Sequence, residues 1–106
     1  MRRPDLSIVI LNYNTKEFLR ECLRSIETSK KNSFSWEIIV VDNASSDGSV
    51  GMVGKAFPDV VLVANKKNLG FGAGNNVLLK KTKGKYTLFL NPDTILSKDT
   101  LLTLFR

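Results

Sequence analysis

Residues 86–94 read Tyr86-Thr-Leu-Phe-Leu-Asn-Pro-Asp-Thr94, a short apolar run that stops at a polar corner built on a proline. The run has the length and composition of a buried strand. Two oxygen-bearing side chains, Asn91 and Asp93, follow it two residues apart; in an extended chain that spacing points both to one side. The same construction occurs three more times toward the amino terminus. Residues 7–11 (SIVIL) end at Asn12-Tyr13-Asn14, residues 37–41 (EIIVV) end at Asp42-Asn43, and residues 60–64 (VVLVA) end at Asn65-Lys-Lys-Asn-Leu-Gly70.

Helical patterns separate these runs. Residues 16–28 place Phe18, Leu19, Cys22, Leu23 and Ile26 on one stripe. Asn14 and Glu17 suit a capping-box-like start with Asn in place of Ser or Thr. A weaker helix is predicted over 49–57, compromised by Gly51 and Gly54. A third is predicted over 72–81, with Gly84 as its C′ residue. A fourth is capped by Ser97 and carries Leu101, Leu102, Leu104 and Phe105. Four strand–helix units predict an α/β fold: a Rossmann-like three-layer α/β/α arrangement with a mainly parallel sheet and right-handed crossovers. Ligands of such sheets bind outside the carboxyl ends of the strands. Each polar cluster named above follows a strand end.

Bulk properties narrow the chemistry. The 106 residues suit one domain, and a hydrophobic fraction of 42% suits a packed core. No apolar run approaches the roughly 20 residues of a membrane span. The run over 8–11 is too short for a secretory signal, so a cytosolic location is the expectation. The single cysteine, Cys22, excludes an internal disulfide framework and falls on a predicted core face. Histidine is absent, which removes the usual catalytic triads. Any chemistry rests on carboxylates, amides, lysines or a bound metal. The net charge of +6 gathers in lysine pairs such as Lys66-Lys67 and Lys80-Lys81. These read either as solvated helix ends and loops or as attraction for an anionic partner: a nucleotide, acidic lipid head groups or nucleic acid. No aromatic–basic stripe supports specific nucleic-acid binding.

The strand ends leave alternatives open. Asp42 and Asp47 could accept hydrogen bonds from a ribose or base, or cap local turns. A phosphoacceptor role for Asp42 would want an acidic pair after the first strand, where this chain has Asn12 and Asn14. Tyr13 could stack on a base or cover the helix start. Gly70-Phe-Gly-Ala-Gly74 fits neither a Walker nor a dinucleotide pattern; its small residues suit close approach of a helix N-terminus to the sheet or a phosphate. Asn91 and Asp93 suit either Mg2+ or Mn2+ shared with phosphates, or a turn. A structural zinc site lacks ligands.

Taken together, residues 7–14 (SIVILNYN), 40–49 (VVDNASSDGS), 68–76 (NLGFGAGNN) and 86–94 (YTLFLNPDT) resemble the nucleotide-sugar-binding half of family 2 glycosyltransferases, which have the GT-A fold. Asn91-Pro-Asp93-Thr94 is most similar to the rhamnosyltransferase-like branch. The resemblance implies that Asn12 and Tyr13 contact the base or ribose and that Asp42 holds the base edge. It places Asn68 and Gly70 along the nucleoside, Asn91 near the ribose or diphosphate, and Mg2+ or Mn2+ on Asp93. Asn91 stands where the family has an aspartate, so one charge is missing. The implied donor is a UDP or dTDP sugar, and the acceptor a glycan or lipid-linked glycan hydroxyl. The implied outcome is inversion by direct displacement.

Domains of this family run to roughly twice this length, the size of a large single domain. The expectation is therefore that residues 1–106 are the donor-binding portion. No catalytic residue is assigned within it, since the general base is expected in the acceptor half. The isolated portion is expected to bind nucleotide without turnover, to self-associate through an unpaired edge, and to touch the inner face of the membrane peripherally. The competing expectation is a non-catalytic half-domain that acts by oligomerisation or by binding an anionic partner.

Overall fold

The computed structural model describes residues 3–29, 35–70, 80–97 and 99–105. Within them the elements are β1 (Leu6–Asn12), α1 (Lys16–Glu27), β2 (Trp36–Asp42), α2 (Ser49–Ala56), β3 (Val61–Ala64), β4 (Tyr86–Leu90) and α3 (Thr100–Phe105). The helix predicted over 72–81 lies largely outside the described residues; Lys80 and Lys81 are helical. The sheet order is β3-β2-β1-β4, with every pair parallel. Sequence order thus runs outward from β1 in one direction to β3, then resumes on its other side at β4. The boundary between β1 and β4 is the topological switch point, where open α/β sheets form a ligand crevice.

The continuous apolar strands serve two faces. Leu6, Ile8 and Ile10 of β1 and Val40 of β2 pack with Leu19, Cys22, Leu23 and Ile26 of α1 and with Met52, Val53 and Phe57 around α2. Leu101 of α3 joins this core. Val9, Ile39 and Val41 point the other way and form a second cluster with Leu11 and Val63. Each fully buried leucine or isoleucine contributes about 1.5–3 kcal/mol. Central strands carry most of this burial. The edge strands leave Val61, Tyr86 and Phe89 exposed.

α1 starts differently from the sequence expectation. Its N-cap is Thr15, without a side-chain capping bond, and no capping box forms. Asn14 instead accepts from the Ser46 amide at 2.8 Å. The free amide of Lys16 donates to Asp47 Oδ2 at 3.0 Å, so a carboxylate at the start of α2 caps α1. Asp47 Oδ1 also accepts from the amide (3.0 Å) and hydroxyl (2.5 Å) of Ser49. These bonds, with burial of Met52 and Val53, hold α2 together despite its glycines.

The Ser49 hydroxyl, then the Lys16 and Ser49 amides, lower the Asp47 pKa below its ordinary value. A carboxylate depressed by folding stabilises the fold above its unfolded pKa of about 3.9, and that contribution fades as pH falls through the lower folded value. Asp47→Asn turns one of two accepting oxygens into a donor and removes the charge, and is expected to cost about 1 kcal/mol at neutral pH, the size of one partly solvated hydrogen bond. Melting temperatures of the two proteins, measured against pH, should converge in acid below that window.

Ser97 does not cap α3 from the adjacent position. The helix begins at Thr100, whose amide donates to the Ser97 carbonyl at 3.2 Å, while the Ser97 amide donates to Thr100 Oγ1 at 3.1 Å. Gly84 is not a left-handed C′ residue either; positive φ among the described glycines occurs at Gly48 and Gly70. Its small size serves a close approach to β1 instead. Its amide donates to Ser7 Oγ at 2.8 Å, and Ser7 donates to Glu37 Oε2 at 2.5 Å. Glu37 Oε2 also accepts the Lys83 amide at 2.7 Å. This cluster, built on buried Ser7 at the amino end of the strands, fixes how the chain feeds β4.

Candidate nucleotide site at the carboxyl edge

Parallel register brings the polar strand ends level. Asn12 lies beside Asp42, and Asp42 beside Ala64. Asn12 and Asp42 are both buried, the latter 1% exposed. Asn12 Nδ2 donates to Asp42 Oδ1 at 2.8 Å, and Thr15 Oγ1 donates to Asn12 Oδ1 at 2.5 Å. Ser45 binds both carboxylate oxygens: its hydroxyl donates to Oδ1 at 2.7 Å and its amide to Oδ2 at 2.8 Å. Asp42 therefore caps the 42–45 turn, the local role its position allowed. A carboxylate offers about four acceptor positions, so one remains on Oδ2.

Asn43 organises the next layer. Its amide donates to the Asn12 carbonyl at 2.9 Å, and its Oδ1 accepts from Asn65 Nδ2 at 2.9 Å. Asn43 Nδ2 donates to the Gly70 carbonyl at 3.4 Å, and the Asn65 amide donates to the Asp42 carbonyl at 2.8 Å. Asn68 Oδ1 accepts the Gly70 amide at 2.7 Å, and Gly70 holds φ +76°, a backbone state that favours glycine. Three strand-end loops thus form one hydrogen-bonded shelf. Asn43 and Asn65 belong to the strand-end clusters read from the sequence but carry no role of their own there, and Ser45 and Thr15 carry none either. Their only sequence signal is membership of Asn- and Ser-rich turns.

The shelf carries local strain. Asn14 (φ +52°) and Ala44 (φ +63°) are the non-glycine residues with positive φ among the described residues. Asparagine tolerates that region, whereas alanine loses about 1 kcal/mol or more there. Strain of this kind gathers at ligand-handling loops. Tyr13 stands half-exposed at the end of β1, and Lys66, Lys67 and Asn68 are exposed after β3. The two ammonium groups give this edge a field that attracts anions.

On the other side of β1, the corner after β4 is turned rather than extended. The Thr94 amide donates to the Asn91 carbonyl at 3.0 Å, so the two-residue spacing does not align Asn91 and Asp93 as a strand would. Both side chains are exposed and take no hydrogen bond from a described residue. Asp93 acts on Cys22 of α1: burial first, and then the Asp93 charge, push the thiol pKa up to about 11. Cys22 is thus held as an inert core thiol.

Among the described residues no group of three or more acidic, cysteine or histidine side chains converges as a metal cage. Asp93 nevertheless fits a shared cation, because neither of its oxygens accepts a hydrogen bond from a described residue. Mg2+ and Mn2+ commonly take one or two carboxylates and fill the remaining positions with phosphate and water oxygens.

Comparison with protein families matches residues 7–106 to Glycosyl transferase family 2. The chain belongs to that family. This chain is 35% identical over 101 residues to the poly(ribitol-phosphate) beta-glucosyltransferase of Bacillus spizizenii, covering 92% of this chain and 16% of that protein. Its fold superimposes on residues 1–349 of S. aureus TarS in complex with UDP-GlcNAc at a TM-score of 0.79 and 28% identity, covering 94% of this chain and 30% of that one. It likewise matches the mannosyltransferase PcManGT of Pyrobaculum calidifontis in complex with GDP-Man and Mn2+, at a TM-score of 0.80 and 26% identity, covering 95% and 31%. The chain therefore spans less than a third of the length of these relatives. The expected Rossmann-like, parallel GT-A architecture is the observed one.

Proposed function

We propose that this chain is the donor-binding portion of a glycosyltransferase that takes a nucleoside-diphosphate sugar and transfers the sugar to an acceptor hydroxyl with inversion. The observation that carries the reading is the shelf at the carboxyl edge, buried Asp42 on one side of β1 and exposed Asp93 on the other. In this reading the last acceptor position on Asp42 takes an N–H of a uracil or thymine base. Tyr13 covers the base or ribose, with Asn12 holding Asp42 in place. Asn68 and Gly70 line the nucleoside, and Asn91 lies against the ribose or diphosphate.

Asp93 would hold Mg2+ or Mn2+, which neutralises charge developing on the leaving diphosphate. With Asn91 in place of a second carboxylate, Lys66 and Lys67 supply further attraction for that diphosphate. The carboxylate that deprotonates the acceptor is assigned to the portion of such proteins that this chain does not span. The acceptor is assigned as a glycan or lipid-linked glycan at the cytoplasmic face of a membrane. The relatives' complexes with UDP-GlcNAc and with GDP-Man and Mn2+ support the donor class and the metal.

Calorimetric titration of UDP and dTDP, with and without Mn2+, tests this. Mn2+ is expected to tighten binding about tenfold, the effect of one charge-assisted contact of about 1.4 kcal/mol. Asp93→Ala should abolish that gain and leave metal-free binding unchanged. A gain that persists in Asp93→Ala refutes the metal assignment.

A second reading rests on the exposed aromatic side chains Tyr86 and Phe89 of edge strand β4. It makes this portion a self-associating half-domain. Light scattering would then show a dimer indifferent to nucleotide and Mn2+.

A further inference from the structure

We propose that Ser25 of α1 is a positioning residue for the Asp93 corner. Its hydroxyl holds the Leu96 amide and so fixes where the Asp93 carboxylate stands for a cation shared with a diphosphate. The proposal rests on the reading of Asp93 given above.

No described residue bonds the Asp93 side chain, so its position follows from the backbone on either side. The incoming side is fixed by the sheet, since Leu90 lies beside Ile10 of β1. The outgoing side is fixed by α1: the Leu96 amide donates to Ser25 Oγ at 3.0 Å. Between these holds lie residues 91–95, with one internal backbone bond from Thr94 to Asn91.

Ser25 is built for this task. It is nine-tenths buried, and its own proton is committed to the Cys22 carbonyl at 2.7 Å. That orientation leaves an oxygen lone pair for the Leu96 amide. A serine within a helix competes with the helix's own bonds and packs little apolar area. Alanine or leucine would serve the buried face of α1 better if packing were the only demand. Cys22, one turn earlier, adds a weak contact from its thiol to the Asn91 carbonyl at 4.0 Å. Leu96 packs against the core beside it. One face of α1 thus grips the corner at its beginning and its end.

The test titrates UDP with and without Mn2+ into the wild type, Ser25→Ala, Asp93→Ala and the double variant. Amide hydrogen exchange at Leu96 is measured in parallel. Ser25→Ala is expected to leave metal-free UDP affinity within about twofold, well under 1.4 kcal/mol. It should lower the Mn2+ gain by up to about tenfold, as losing a metal site's supporting contact does. Leu96 should lose its exchange protection.

In the Asp93→Ala background, removing Ser25 should change the Mn2+ gain no further, the coupling expected of residues acting as a unit. Ser25→Cys, similar in shape but a weak acceptor, is the second variant and should lose the gain in the same way. A full Mn2+ gain in folded Ser25→Ala or Ser25→Cys overturns the proposal, as does a fall in metal-free UDP affinity as large as the fall measured with Mn2+. The wild-type titration is read first. No Mn2+ gain there overturns the Asp93 reading and this proposal with it, whereas a wild-type gain that survives Ser25→Ala overturns this proposal alone.

Discussion

Gly84→Ala is expected to destabilise the fold by about 3 kcal/mol or more, an overpacking cost compounded by broken hydrogen bonds. A Cβ at this position would stand 2.5 Å from the Ser7 amide nitrogen, 2.7 Å from the Leu6 carbonyl carbon and 2.7 Å from Ser7 Oγ. Two of these atoms are backbone of β1, which is paired on both sides and has no room to retreat. If residue 84 moves instead, it breaks the bonds that join its amide to Ser7 and the Lys83 amide to Glu37. Ser7 is fully buried, so its hydroxyl cannot turn to water in compensation. For a chain of this size the loss corresponds to a fall in melting temperature of about 15 °C.

Gly51→Ala and Gly54→Ala are the matching controls. Their added Cβ atoms meet nothing within 4 Å, and both positions lie inside α2. Each should stabilise the helix by about 0.5–1 kcal/mol. An unchanged melting temperature for Gly84→Ala would mean that the approach of residue 84 to β1 is looser than its contacts indicate.

Gly84 also marks where sequence reading stops. The strands were legible because β1 and β2 are buried on two faces, and residues such as Ile8 and Val9 need no alternation to declare it. The carboxyl edge was legible because parallel topology sends every strand end to the same side. The contacts that make the edge rigid were not legible, since they cross between loops. Asn14 with Glu17 has the local spacing of a capping box, yet Asp47, 31 residues from Lys16, supplies the cap. Asn43 is one of many turn asparagines until the structure shows it joining the end of β1, the residue after β3 and Gly70. Asn91 and Asp93 share a side only in an extended chain, and the Thr94–Asn91 bond turns the corner. Gly84 looks like a helix terminator because sequence spacing cannot report that β1 passes within a Cβ of it.

Asp42 carries the second large effect, and two substitutions there separate its structural work from recognition. Asp42→Ala removes the acceptor for Asn12 Nδ2, the Ser45 amide and the Ser45 hydroxyl in a site 1% exposed. Leaving the buried Asn12 donor and the part-buried Ser45 donors without their acceptor, and opening a small void, should cost about 3 kcal/mol. Nucleotide binding should be lost along with the shelf.

Asp42→Asn keeps the shape and one oxygen. Its carbonyl can still accept the Ser45 amide, and its NH2 can donate to Asn12 once that amide flips. Thr15 and Ser45 can follow by rotating their hydroxyls. The network thus re-forms at a cost of about 1 kcal/mol, near that of a single altered hydrogen bond. A base N–H that met a carboxylate would now meet a neutral amide oxygen. Charge-assisted bonds are roughly twice as strong as neutral ones, so UDP or dTDP affinity should fall about tenfold. Thermal melts and calorimetry on both variants distinguish the roles. If Asp42→Asn binds nucleotide as the wild type does, Asp42 only braces the turn, and the base edge is read by another residue of the shelf.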